Sequence, residues 1–406
     1  MRRLFAFALL AGLVWPVTTL TAVTRAATPS QSCSWGAKSD PDTVNVAYPD
    51  TSASYWSYQY KAVPGTELVV HGQYPKARYF SFHVYQPSAV PIDSIYDAQI
   101  TPDKGSANPF TGPAAGRRQD YAVTVLFAAK PAHPAANTLY AGQTQIDGAP
   151  NPGGTLMLRV YVPTDPGSPS GGVPLPTVTW QTTSGQVLTS GADCSNDLPS
   201  TNGAITQTLN GQSPAEAPTV AKGAPLSWSK AKSSPYVGAY GNQQNAYLTA
   251  SINRADGDLI VIHGKAPTFP NTTAGEPVYG NYQLRYWSFC ENSTDTRVIA
   301  CAPDYESNAR YGSYTYVISD PSTRPGNATA ANGVAWIPWG PTDATAVIIF
   351  RNMLPADSFT HAVQNIPSSG GNPAQVMGAY FPAAAYCTTA VFEQGGWRAC
   401  FKAAGM

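Results

Sequence analysis

YPDTSASYWSYQYKAVPGTELVVHGQYP, residues 48–75, returns without a gap at residues 240–267 as YGNQQNAYLTASINRADGDLIVIHGKAP. Tyr48, Tyr55, Gly65, Val69, His71, Gly72 and Pro75 stand opposite Tyr240, Tyr247, Gly257, Val261, His263, Gly264 and Pro267, each pair 192 positions apart. Arg78-Tyr79-Phe80-Ser81-Phe82 then returns as Arg285-Tyr286-Trp287-Ser288-Phe289 after an insertion. Thr101-Pro102-Asp103 is matched to Ala302-Pro303-Asp304, and Leu158-Arg159 with Pro163 to Phe350-Arg351 with Pro355. A repeat of this length, with compensating insertions, implies two copies of one domain and not a solenoid of short units.

The repeat divides the 406 residues into a leader at 1–26, a first domain at 27–194, a connector at 195–226 and a second domain at 227–406 that repeats the first and ends in a disulfide-tied tail. The connector is rich in Ser, Thr, Asn, Pro and Ala and has no apolar period. In the leader, Arg2-Arg3 precedes an apolar run, Leu4–Trp15, that is too short to span a bilayer. Small residues at Thr24 and Ala26 suit cleavage after Ala26, as in a secretory signal peptide. No later apolar run is long enough to anchor the chain, so a secreted, extracytoplasmic monomer without a membrane span is expected.

Charged residues make up 12% of the chain, about half the usual share. Loss of the leader removes Arg2, Arg3 and Arg25, leaving 21 basic against 24 acidic side chains, a net charge of −3. Neutralising phosphates needs a basic surface, which argues against a nucleic-acid partner. Six cysteines fit an oxidising compartment and allow fifteen pairings. Spacing favours Cys290–Cys301 and Cys387–Cys400, leaving Cys33–Cys194 to close the first domain. No C-x-x-C occurs, so neither a metal nor a cofactor is expected.

Short alternating runs rich in aromatic and β-branched residues recur between Gly and Pro signals: Glu67–His71, Arg78–Tyr85, Tyr121–Phe127 and Leu156–Val162, then Tyr247–Ile252, Asp258–His263, Tyr282–Cys290 and Ala346–Asn352. Ser184-Gly185 marks a hairpin. The fold class predicted is all-β: two tandem, homologous antiparallel β-sandwich domains, jelly-roll-like, with little helix. One helix is predicted, Phe359–Asn365, with Asp357 or Ser358 as its cap. A groove between the domains is a natural ligand site.

Along the strand Arg78–Tyr85 the side chains alternate. Phe80, Phe82 and Val84 point inward, while Tyr79, Ser81, His83 and Tyr85 point outward, as do Tyr286 and Ser288 in the second copy. Tyrosine faces and hydroxyls suit a small-molecule or glycan ligand; the competing reading is that this face packs on a neighbouring segment. Arg78/Arg285 and Arg159/Arg351 recur in both copies. Arginines in apolar strands need carboxylates, and Asp103 and Asp304 are the partners proposed, either as structural clamps or with Arg78 and Arg285 left to grip a ligand.

His71 and His263 each precede a glycine at a strand end. Either could act as acid or base, or simply fix a turn through a ring hydrogen bond. Asp93, Asp97 and Asp103 crowd one loop, and Asp295, Asp304 and Glu306 its counterpart. Two such carboxyls could cleave a glycosidic bond, or three could hold calcium, although no EF-hand spacing is present. Asp103, Asp304, His71 and His263 are therefore the catalytic candidates. No G-x-S-x-G elbow, H-E-x-x-H or Walker A sequence occurs.

Gly72-x-Tyr74-Pro75-x-Ala77-Arg78-Tyr79-Phe80-Ser81-Phe82, with Asn151-Pro152-Gly153-Gly154 and Arg159-Val160-Tyr161-Val162-Pro163, resembles a group of exported bacterial proteins with no assigned biochemical role. That resemblance implies an extracytoplasmic bacterial protein and supplies no catalytic residue. The leading expectation is a secreted protein binding a neutral or weakly acidic glycan or polymer through an aromatic groove. The alternatives are an extracellular hydrolase using the acidic loops and a structural envelope protein.

Overall fold

The computed structural model describes residues 35–142, 151–190, 220–231, 240–340 and 344–406. The leader, Cys33, Cys194 and most of the connector lie outside the described residues.

The first half contributes β1 (Ala53–Lys61), β2 (Thr66–Gln73), β3 (Ala77–Tyr85), β4 (Pro91–Tyr96), β5 (Asp120–Leu126), β6 (Thr138–Tyr140), β7 (Gly153–Pro163), β8 (Thr177–Thr182) and β9 (Val187–Ser190). The second contributes β10 (Ser229–Lys230), β11 (Asn245–Asn253), β12 (Leu259–Lys265), β13 (Leu284–Ser293), β14 (Val298–Pro303), β15 (Ser313–Ser319), β16 (Ala335–Pro338), β17 (Thr345–Pro355) and β18 (Ala383–Cys387). Sheet order in the first half is β1-β7-β3-β4 and β6-β5-β2-β8-β9; in the second it is β10-β11-β17-β13-β14 and β16-β15-β12-β18. Apart from the edge strands β9 and β10, which have no counterpart, the orders correspond strand by strand, and even the one departure from antiparallel pairing recurs, β5 with β6 and β15 with β16 both being parallel.

Each half is a sandwich because its two sheets share one apolar interior. In the first, Trp56, Phe80, Phe82 and Leu158 meet Leu68, Val70, Tyr121 and Val123; in the second, Leu248, Trp287, Phe289 and Phe350 meet Ile260, Ile262, Tyr314 and Tyr316. The predicted inward set of β3 is correct. The second half has an added layer: Leu259, Val261 and Val317 face outward onto Phe392 of the helical segment Thr389–Ala403, whose non-helical breaks fall at Gly395 and Gly396. Cys387–Cys400 ties this segment to β18, and Cys290–Cys301 joins directly opposed residues of β13 and β14, both as spacing predicted.

The helix predicted at Phe359–Asn365 is instead a single 3-10 turn, Val363–Asn365. Phe359, Ala362, Val363 and Ile366 are buried at helical spacing, but Asn352 captures the Val363 N–H at 3.1 Å through its side-chain oxygen, and the residue after Ile366 is Pro367. Too few residues remain to propagate a helix.

The repeated His-Gly pair is explained by its glycine. A Cβ at Gly72 would sit 2.6 Å from the Tyr121 hydroxyl, and one at Gly264 would sit 2.6 Å from that of Tyr314. Each tyrosine lies against bare backbone at the rim of its core. Gly72→Ala or Gly264→Ala is expected to cost about 1–3 kcal/mol through overpacking, measured as a fall in the urea midpoint at unchanged m-value.

A candidate ligand site at the seam between the halves

The two β1-β7-β3-β4-type sheets turn their outer faces toward each other, and the contacts cross reciprocally. Arg78 of the first half pairs with Asp304 of the second, while Arg285 of the second reaches Asp97 of the first at 2.9 Å. Both aspartates are the first residue of a short 3-10 turn, and each also accepts a backbone N–H of its own half, Phe80 to Asp97 at 3.0 Å and Trp287 to Asp304 at 3.1 Å. The expected pairing with Asp103 is thereby corrected: the counterpart of Asp304 is Asp97. Asp97 and Asp304 stand 207 positions apart, as Arg78 and Arg285 do, and that spacing was the available signal. Asp103 is half-buried elsewhere, its backbone N–H donating to Asp120.

A second crossing involves the segments preceding β1 and β11. Tyr48 donates its N–H to Thr296 at the tip of the opposite β13–β14 hairpin, and Tyr240 donates its own to Ala89 at the tip of β3–β4. Their carbonyls then accept from arginines across the seam, Tyr48 from Arg351 at 2.6 Å and Tyr240 from Arg159. All four non-glycine tip and arm residues have positive φ: Tyr48 55°, Tyr240 62°, Ala89 61° and Thr296 76°. The same uncommon backbone is thus held in both copies.

The row predicted to face a ligand is this seam. Arg78, Tyr79, Ser81, His83, Tyr85, Tyr286 and Ser288 are fully buried, and Arg285 is half-buried. The reason is physical: a repeated aromatic face finds its complement in its own second copy. Tyr286 and Ser288 both donate to Asp50, each at 2.9 Å, whereas Tyr79 donates to Gln244 at 3.0 Å and to Asn242 at 3.4 Å. His83 accepts the Gln243 N–H on Nε2 at 3.3 Å, so its proton sits on Nδ1, facing Ser81 Oγ at 3.2 Å. Burial, reinforced by the Arg159 charge, holds the His83 ring neutral, well below the ordinary 6.5.

In the unfolded chain His83 protonates near 6.5, so stability present above that pH is lost as pH falls toward the lower folded value. The unaltered protein is expected to lose stability between pH 7 and 5 faster than a His83→Gln variant. Parallel slopes for the two in urea titrations would contradict the neutral ring.

The remaining candidates scatter. His71 is exposed on the outer face of β2. His263 is half-buried, 3.0 Å from Thr315 Oγ1 and stacked on Trp397 at 3.7 Å, with burial pushing it down to about 4. Asp93 pairs with Lys130 at 2.7 Å, Asp295 with Arg297 at 2.7 Å, and Glu306 is exposed. Asp93 and Asp295 are each engaged by a cation. Asp50 lies beside Cys290 and Cys301, but sulfurs joined in a disulfide offer no thiolates for a metal.

Next to the buried row the seam opens into a cavity of about 600 Å³, within the range of small-molecule sites. None of the eight residues predicted as ligand contacts lines it. Its walls hold Tyr48 and Tyr240, Tyr55 and Tyr247, Arg159 and Arg351, three of the pairs that define the repeat, together with Tyr161, Met157, Val347 and Ile349. Tyr55 faces Arg159 across β1 and β7, and Tyr247 faces Arg351 across β11 and β17. The guanidinium carbons lie 5.6 and 5.9 Å from those rings. Burial raises the Tyr55 and Tyr161 hydroxyls, keeping them protonated, and they sit 3.4 Å apart. Among the described residues no carboxylate or lysine lines the cavity.

A tandem pair of β-sandwiches closed around a seam cavity is the class that fold and site define. No family model and no curated protein matches the chain. Among solved structures it is similar to an uncharacterised protein from Burkholderia cenocepacia, with TM-score 0.48 and 12% sequence identity over 81% of this chain and 80% of that one. It is also similar to a protein from Vibrio parahaemolyticus, with TM-score 0.41 and 11% identity over 84% and 90% of the two chains. Among the described residues no helix is long and apolar enough to cross a membrane.

Proposed function

We propose that this chain is an exported binding protein that holds a weakly acidic ligand, a small molecule or the end of a glycan, in the cavity between its halves. The observation that carries this reading is the cavity wall itself. Its tyrosine and arginine pairs are present in both copies, and aromatic faces beside buried guanidiniums suit a ligand with an apolar body and an acidic group. The leader and the two disulfides support export. Hydrolysis is the weaker alternative, because the described walls supply arginine and tyrosine but no paired carboxyls.

The test is a panel of neutral glycans, oligouronides and alkyl or aryl carboxylates, titrated against the protein and against Ser251→Trp, which fills the cavity from β11. Binding that is lost in Ser251→Trp supports the reading. No binding, or binding indifferent to that substitution, overturns it, and release of a cleaved product would move the protein to the hydrolases.

A further inference from the structure

The two arginines in the cavity wall are related by the repeat, yet only one is neutralised. Arg351 lies 3.4 Å from Asp50, which is fully buried and also collects hydrogen bonds from Tyr286 and Ser288. At the corresponding place for Arg159 the chain has Asn242, 192 positions after Asp50. Among the described residues no carboxylate stands within ion-pairing distance of Arg159, although it is 2% exposed. Its visible partners are the Tyr85 hydroxyl and the Tyr240 carbonyl, both neutral. A buried guanidinium with neutral partners keeps a strong demand for an anion.

Two further observations concern residues of the same wall. Tyr240 and Asn242 line the cavity, are 7% and 6% exposed, and each carries a buried polar group, the Tyr240 hydroxyl and the Asn242 amide nitrogen, that meets no hydrogen-bond partner among the described residues. A phenol O–H, an amide N–H and a guanidinium form a set of donors. A buried donor without an acceptor is costly, and a carboxylate is an acceptor for each of these three groups.

We infer that the Arg159 end of the cavity is a carboxylate subsite, completed by Tyr240 and Asn242, for an organic acid whose apolar body lies against Met157, Val347 and Ile349. The inference rests on the binding reading above and adds the acid group, its position and its uniqueness. The Arg351 end already holds an internal carboxylate, Asp50, so one acid is bound per chain. An amide or alcohol of the same shape leaves Arg159 without its anion and binds more weakly.

The test compares phenylacetate with phenylacetamide and octanoate with octanamide by calorimetric titration. On the unaltered protein the acid is expected to bind about tenfold or more tighter than its amide, with a stoichiometry of one. Asn242→Asp supplies internally what Asp50 supplies opposite; it should erase the preference for the acid and raise the melting temperature. Asp50→Asn, which opens the second arginine, should bring the stoichiometry toward two. Equal affinity for acid and amide, or an undiminished preference in folded Asn242→Asp, overturns the subsite while leaving the cavity as a binding site. If neither acids nor amides bind the unaltered protein, both readings fail. The acid-to-amide comparison needs no variant, so a misfolded substitution does not leave the question open.

Discussion

Arg78→Met is expected to lower the unfolding free energy by about 3–5 kcal/mol, the usual consequence of removing one partner of a buried ion pair. Asp304 would be left in a site where neither member of the pair reaches solvent, and where burial already pushes its carboxyl up to about 6 against the pull of Arg78. Its loss of the guanidinium favours proton uptake. Replacing both partners, Arg78→Met with Asp304→Leu, should restore much of the loss, because no uncompensated charge remains. Arg285→Met is expected to cost less, since Arg285 is partly open to water and Asp97 keeps the N–H groups of Phe80 and Ala98. Urea unfolding of the three variants checks this order. A cost under about 1 kcal/mol for Arg78→Met would mean that the crossed pair does not hold the halves together.

Asp50→Ala and Asn242→Ala, chemically similar truncations at matched positions, should differ by about 2 kcal/mol or more. Asp50 compensates Arg351 and accepts from Tyr286 and Ser288, so its loss leaves a buried cation without its anion and two hydroxyls without their acceptor. Asn242 accepts a long 3.4 Å hydrogen bond from Tyr79 and one of 2.9 Å from the Gln244 N–H. Tyr79 keeps Gln244 in either case. Equal costs at the two sites would contradict the unequal charge of the two cavity ends.

Much of this architecture is legible in the sequence, for reasons that differ residue by residue. The alternation along Arg78–Tyr85 fixes which side chains enter the core, since a strand has only two faces. Turn chemistry fixes the hairpin at Ser184-Gly185, where Gly185 has φ of 89°. Alternation says nothing about what covers the second face, and an aromatic row reads alike whether water, a sugar or another sheet lies over it. Tyr79, Ser81, His83 and Tyr85 were therefore legible as a surface and not as a seam. The cavity wall was nearer to hand than the expected groove: Tyr48, Tyr55, Tyr240 and Tyr247 are in the repeated stretch itself. The strand Ala383–Cys387 and the helical segment after it were missed because Gly395-Gly396 interrupts the apolar period and Ala383-Ala384-Ala385 carries no strand preference. The crossed pairs were invisible because a repeat identifies equivalent residues without saying which copy supplies the partner.

The reciprocity of these contacts has a consequence for how asymmetry could arise. Two identical single-copy chains associating through the same faces would form a twofold homodimer, in which each arm and each ion pair occurs twice and any substitution alters both at once. Joined in one polypeptide, the two positions descend independently. Residue 50 is aspartate while its counterpart is Asn242, so within one polypeptide the two ends of the seam differ in charge, a difference that a twofold homodimer forbids.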